Sequence, residues 1–281
     1  MIRVAELYYE DGQGSFIVSY RRALQHHMPA SHFHNNYEIY YLISGGREFF
    51  IQDRTIAVQE GDVIIIPPNM LHRTTNAPLP EHERLIVNIH QRHITSLNEP
   101  DYTVWEPLLE PEYRIIRTSL QERLLIEDIA RFMKQEMEER KPGFELYART
   151  LTLQLLLHCC RHLQNTRTEP PAYLSPMHER ISEVAGYINR HYMEELSLHL
   201  VAERFYISPF YLSRFFKEAT GFTFVEYVNS VRIKEAKKLL EHTGLKVAAI
   251  AAKVGFGSVT HFGRVFKAVT GHAPLHYRTG R

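Results

Sequence analysis

Cysteine is almost missing from this 281-residue chain. The two present, Cys159 and Cys160, are adjacent and cannot form an ordinary disulfide staple, so no oxidised framework is expected to hold the fold together. Long apolar runs are missing as well. None approaches the ~18 residues that span a bilayer. The opening "MIRVAELYYEDG" has no apolar stretch behind its basic start, so no secretory leader is expected. These absences predict a cytoplasmic protein without a membrane partner. A large charge of one sign is also lacking, but the net charge of +1 hides an asymmetry. Residues 176–281 carry 15 Lys and Arg against 9 Asp and Glu, a balance of +6, and the remainder carries 18 against 23, a balance of −5. The C-terminal part therefore suits a polyanion and the N-terminal part does not.

What is present is a soluble composition, 44% hydrophobic and 23% charged, on a chain long enough for two domains with separate cores. Up to about Ile94 the text reads as strands. "YEIYYLIS", "REFFIQD", "RTIAVQEGDVIIIPP" and "ERLIVNIH" are β-branched and aromatic runs, broken by Gly45-Gly46, Gly61-Asp62 and Pro67-Pro68. Many short strands at close spacing predict a sandwich or barrel. If Glu38 points inward, alternation sends Tyr40 and Leu42 the same way and Ile39, Tyr41 and Ile43 the other.

The period then changes to helical. Ser119 and Glu122 have the spacing of a capping box, and Leu125, Ile129, Phe132 or Met133, and Met137 follow at helical intervals. Pro142-Gly143 ends that helix. The next, "FELYARTLTLQLLLHCCRHLQ", has an apolar face too broad for a lone surface helix, which suits either intradomain core or a dimer interface. "QNTRTEPPAYLSP", residues 164–176, has the composition of an interdomain linker.

The C-terminal part repeats itself. "YLSRFFKEATGFTFVEY" (211–227) and "HFGRVFKAVTGHAPLHY" (261–277) align without a gap, with Arg214/Arg264, Phe216/Phe266, Lys217/Lys267, Thr220/Thr270, Gly221/Gly271 and Tyr227/Tyr277 identical. A short alanine-containing helical segment and a capping serine, Ser208 or Ser258, precede each copy. Short helix, tight turn and second helix, twice over, is the layout of two helix-turn-helix units. In such a unit the second helix offers its N-terminal residues to base edges in the major groove. That exposes Phe210, Tyr211, Ser213 and Arg214 in the first unit, and Val259, Thr260, Gly263 and Arg264 in the second. Leu212, Phe215 and Phe216 in the first, and Phe262, Val265 and Phe266 in the second, are left to pack inward. Arginine can read guanine by a two-pronged hydrogen bond, while Lys217 and Lys267 are better placed for phosphate.

The stretch "YVNSVRIKEAKKLLEHTGLKVAAIAAKVGFGSVTHFGRVFKAVTGHAPLHYR" resembles the signature of AraC-family transcription regulators. Matching positions include Arg232, Ala236, Leu239-Leu240, Ile250-Ala251, Gly255-Phe256, Phe262, Arg264, Phe266-Lys267, Gly271, Pro274 and Tyr277-Arg278. The resemblance implies two units joined by one long helix, here about Phe224 to Glu241, and seated in adjacent major-groove segments. Gly263 departs from it, standing where the family usually has a small polar residue, so no side-chain readout is expected there.

The N-terminal half resembles the cupin-type β-barrel that many such regulators use as a sensor. His32-x-His34, Glu38 and Gly45 form the first motif, and Gly61-Asp62, Pro67 and His72 the second. His26 and Asn69 stand where those motifs often have glycine. The resemblance makes His32, His34, Glu38 and His72 a metal quartet suited to a divalent transition metal, and the same residues with Tyr40 an effector pocket. Sensor, metal-dependent cupin enzyme carrying a DNA-binding module, and barrel that only dimerises are the alternatives it leaves. The sensor is the expected one, without catalytic residues. The expected fold is multidomain α+β: a cupin-like β-barrel over 1–105, a helical dimerisation segment over 106–163, a linker over 164–176, and an all-α double helix-turn-helix domain over 177–281. The expected partners are double-stranded DNA, a small polar effector such as a carbohydrate, a second copy of the chain, and RNA polymerase if the protein is an activator.

Overall fold

The computed structural model describes residues 5–24, 34–75, 81–95, 102–166 and 171–279; His32 and His26 lie outside them. Seven strands come first: β1 (Ala5–Glu10), β2 (Phe16–Leu24), β3 (Tyr37–Ile51), β4 (Arg54–Gln59), β5 (Val63–Ile66), β6 (His72–Thr75) and β7 (Glu81–Ile89). Short helices α1 (Gln91–Thr95) and α2 (Glu106–Leu109), with a 3-10 turn at Tyr102–Trp105 between them, lead to β8 (Arg114–Ile116). All pairings are antiparallel, in the order β1-β2-β7-β3-β5-β8, with β4 and β6 also on β3. The expected barrel edge at residue 105 is therefore too early. β8 completes the sheet against β5 through Val63↔Ile116, and three residues are too few for a period-2 pattern to announce a strand.

β3 is the hinge of the barrel. Its first half pairs with β7 and β5, and its second half with β4 and β6. Between them Gly45 takes φ +93°, and a Cβ there would collide with the Glu81 carbonyl. The turn-over encloses an interior face bearing Tyr40, Leu42, Phe49, Ile51, Ile64 and Ile86. The opposite face, with Phe16, Val18, Ile39, Tyr41, Val63 and Val87, packs on helices.

Those helices are α3 (Leu120–Glu139) and α4 (Phe144–Asn165). Ser119 and Glu122 form the expected capping box, the Ser119 side chain accepting from the Glu122 N–H and the Glu122 carboxylate from the Ser119 N–H at 2.9 Å. The buried stripe of α3 is Ile126, Ile129, Ala130, Met133 and Met137. Leu125 and Phe132, equally apolar in sequence, lie on the outside. α4 buries Ala148, Leu151, Leu155, Leu156 and both cysteines in the same core, and burial pushes the thiols up, Cys160 to about 12. Among the described residues no helix is long and apolar enough to cross a membrane.

The rest is helical: α5 (Pro176–His191), α6 (Leu198–Arg204), α7 (Pro209–Thr220), α8 (Phe224–His242), α9 (Val247–Lys253), α10 (Val259–Thr270) and α11 (Pro274–Thr279). This part does not hang free of the barrel. Phe50 and Leu71 belong to one core cluster with Val184, Leu212, Phe216, Phe222 and Tyr227. Thr55 Oγ1 donates to the Ala219 carbonyl at 2.8 Å, and the Tyr227 hydroxyl donates to the Gln52 carbonyl at 2.6 Å. Arg73 donates to the Gly221 carbonyl. The described end of the expected linker is tied down too, Arg54 donating to the Pro171 carbonyl at 2.8 Å and stacking on Tyr173.

Candidate functional site

Two arrangements bear on function, one on the helical face and one inside the barrel. On the helical face, the sequence repeat becomes a structural one. α6 and α7 form the first unit, α9 and α10 the second. Ser208 caps α7 by accepting from the Tyr211 N–H at 3.1 Å, and Ser258 caps α10 by accepting from the His261 N–H at 3.3 Å. A serine at this position satisfies donors that the first helical turn leaves unpaired. α7 and α10 end alike, at Gly221 and Gly271 in the left-handed region, where a side chain would be strained. The paired threonines donate back to carbonyls four residues earlier, Thr220 to Phe216 at 2.6 Å and Thr270 to Phe266 at 2.8 Å.

Packing then sorts the residues of α7 and α10. Leu212, Phe216, Phe262 and Phe266 are wholly buried. Phe210, Ser213, Arg214 and Lys217 on α7, and Val259, Thr260, Arg264 and Lys267 on α10, are exposed. Tyr211 is half-buried against Phe215, with ring centroids 4.4 Å apart. An exposed arginine with a lysine three residues on is thus presented twice, each time on a helix whose other face is core. Sequence reasoning did not give Arg232 a task. It donates from α8 to the carbonyls of Tyr192 and Glu194, both at 2.8 Å, and lies over Phe256 of the second unit. It therefore joins the end of α5 to the turn at Gly255.

Inside the barrel, alternation along β3 turns Glu38, Tyr40 and Leu42 to the interior, and all three are buried. β6 brings His72 to Glu38 from a distant part of the sequence. The Glu38 Oε2 lies 3.2 Å from His34 Nε2 and 3.6 Å from His72 Nε2. Each imidazole has its Nδ1 fixed by a backbone carbonyl, that of Asn36 at 2.8 Å for His34 and that of Met70 at 2.9 Å for His72. A carbonyl only accepts, so both Nδ1 atoms carry hydrogen and both Nε2 atoms are turned to the carboxylate. Burial would raise the Glu38 carboxyl, but the facing imidazoles hold it well below the usual carboxylate range. Burial would likewise lower His72, and the facing carboxylate raises it instead.

Three arginines share this interior. Arg84 on β7 lies opposite Leu42 on β3 and Arg21 on β2. Arg47 precedes Phe49 and Ile51 on the interior face of β3. Arg47 and Arg84 are 5% and 8% exposed, which is rare for charged groups. The signal was available in "REFFIQD" and "ERLIVNIH": each arginine has the parity of the inward-facing residues after it. A cleft of about 580 Å³ also opens between the barrel and the second unit, lined by Asn36, His90, Lys237 and Tyr277 among others.

Both halves resemble known proteins. Residues 201–280 match the helix-turn-helix domain model, and residues 13–97 match the AraC-like ligand binding domain model. The chain is similar to the uncharacterized HTH-type transcriptional regulator YijO of Escherichia coli (strain K12), 34% identical over 152 residues, 53% of this chain and 52% of YijO. It thus spans about half the length of that relative. It is also similar to the HTH-type transcriptional activator RhaS of Enterobacter sp. (strain 638), 27% identical over 242 residues, 86% of this chain and 79% of RhaS. Among solved structures, ToxT from Vibrio cholerae O395 matches over 95% of this chain and 99% of its own, at 15% identity and a TM-score of 0.36.

Proposed function

The chain belongs to the AraC family of transcription regulators, and from that premise we propose that it reads a specific DNA sequence and changes that binding when a small polar molecule enters its barrel. The observation that carries the DNA half is the duplicated exposed face: Arg214 with Lys217, and Arg264 with Lys267, on helices whose backs are core. Two equivalent helices suit two segments of major groove. Arg214 and Arg264 are then the base readers, helped by Phe210, Tyr211, Ser213, Val259 and Thr260, and the two lysines hold phosphate. The relatives are named as transcriptional regulators, so the barrel is read as a sensor rather than an enzyme. His34, Glu38, Tyr40 and His72 are its effector-facing residues. A second copy bound through the outer face of α3 and, for an activator, RNA polymerase complete the expected partners.

The trio of His34, Glu38 and His72 also fits a divalent transition metal. The three offer ligand atoms within 4.8 Å of one another, Glu38 Oε1 is buried without a hydrogen bond among the described residues, and both imidazoles have the Nδ1 support usual for ligands. Such an ion would give the pocket a Lewis-acidic anchor for an oxygen of the effector. His34 Nε2, His72 Nε2 and Glu38 would hold it.

The test is selection from random duplex DNA with the full chain. A single enriched site is expected, with affinity falling steeply as salt is added, through counterion release. Arg214→Ala should cost ~1–3 kcal/mol on that site and relax one base position, while Lys217→Ala should weaken selected and random DNA alike. Binding without salt dependence would end the DNA reading. Equal losses on both DNAs for Arg214→Ala would end the assignment of base readers.

A further inference from the structure

Resting on the sensor reading above, the geometry points to an oxyanion as the ligand group the barrel recognises: a carboxylate or phosphate on a small polar body, held by Arg84 and Arg47 beside Tyr40, and not a neutral sugar. Charge in the interior is lopsided. Glu38 is already engaged by two imidazoles at 3.2 and 3.6 Å. Arg21 has Glu6 at 3.7 Å, at the outer edge of the sheet. Arg84 has no carboxylate within ion-pair distance among the described residues, and its buried Nη1 makes no hydrogen bond among them. It is also directly opposite Arg21 in the β2–β7 register, an arrangement that like charges disfavour.

The nearest polar group does not supply the missing charge. Tyr40 faces Arg47 and Arg84, but its side chain is a phenol, which carries no charge at neutral pH. Burial, with repulsion from Arg21, lowers both Arg47 and Arg84 from their ordinary range. Arg84 is therefore a buried cation that the Glu38 carboxylate attracts but does not reach as an ion pair, and such a charge is costly. An arginine fork matches the paired oxygens of a carboxylate or phosphate. The cost is removed when the ligand brings the anion. Hydroxyls elsewhere on the same ligand can then meet Asn88, whose buried Oδ1 has no hydrogen bond among the described residues.

The experiment is a thermal-shift titration of the full chain with sodium phosphate and with sodium acetate, ionic strength held constant with NaCl. Wild type should show a saturable rise in Tm with at least one of them, roughly 5–10 °C at a hundredfold excess over its Kd. Phosphate alone would assign the tetrahedral oxyanion, and acetate the carboxylate. Arg84→Met should abolish the rise and, without anion, melt no lower than wild type, because it removes an uncompensated buried charge. Arg84→Gln repeats the comparison with a polar side chain, should the methionine variant not fold. Wild-type and Arg84 variant curves that rise in parallel would put the anion on the DNA-binding face and overturn the proposal. So would a flat wild-type curve, or an anion-free Tm that falls in both variants. DNA affinity measured without anion should be the same in wild type and variant. A loss there would count against the sensor reading itself rather than against the anion.

Discussion

Replacing Phe50 by alanine should uncouple the DNA reader from the barrel. Phe50 lies on β3 between Phe49 and Ile51, both of which face the interior, so its own ring is turned outward. There it is wholly buried, with ring centroids 6.0 Å from Phe222 and 5.7 Å from Tyr227. Truncating a buried phenylalanine costs ~3–5 kcal/mol. Because the lost contacts are mainly with α8 and the turn before it, that cost falls on docking and not on the barrel core. Even the lower figure shifts a docking equilibrium by roughly a hundredfold. Hydrogen exchange reads this directly. Amides of residues 219–228 should exchange faster in the variant, while those of β7, on the far side of β3, should stay protected. Any ligand-induced change in DNA affinity should shrink too, since a ligand acts only through its differential affinity for two coupled states. If β7 loses protection equally, Phe50 belongs to the barrel core, and if residues 219–228 do not change, the contact carries no coupling. Either result refutes the reasoning.

Three further outcomes follow from other contacts. Lys237 on α8 donates to Asn69 at 2.7 Å and Asn35 at 3.1 Å on the barrel, and burial lowers its ammonium to about 8 from 10.5. Between those values the folded protein holds fewer protons than the unfolded one, so stability should rise with pH across that window; Lys237→Met should flatten the profile in denaturant melts. Metal analysis of the purified chain should find a divalent ion that His34→Ala loses, if the imidazole–carboxylate trio is a coordination site; a metal-free wild type leaves a hydrogen-bonding pocket. Leu120 and Leu124 are 77% and 57% exposed on α3, so if this face is the proposed contact between copies, wild type should sediment as a dimer and Leu124→Glu as a monomer with Tm unchanged; identical sedimentation profiles would rule that contact out.

What could be read from the order of residues alone is what is local or repeated. The capping box at Ser119 and Glu122, the serine caps at Ser208 and Ser258 and the glycine ends at Gly221 and Gly271 each involve groups within one or two helical turns. The doubled unit is legible because one physical problem, a helix with one buried and one exposed face, is solved twice with the same residues. The alternation of Glu38, Tyr40 and Leu42 follows from the pleat of one strand. Contacts made across strands and between halves were decided only by the tertiary structure. His72 reaches Glu38 because β3 turns over at Gly45 and gathers four strands around itself, and Arg84 comes to lie opposite Arg21 because β2 pairs with β7. In α3, Leu125 and Phe132 are as apolar as Ile126 and Met133, and the sheet beneath selects which pair is buried. β8 is too short to show a period until β5 pairs with it. The proline-rich segment reads as an interdomain linker, yet Phe50 and Leu71 enter the core of the first helix-turn-helix unit, because an apolar side chain has no directional preference and packs wherever the two surfaces meet.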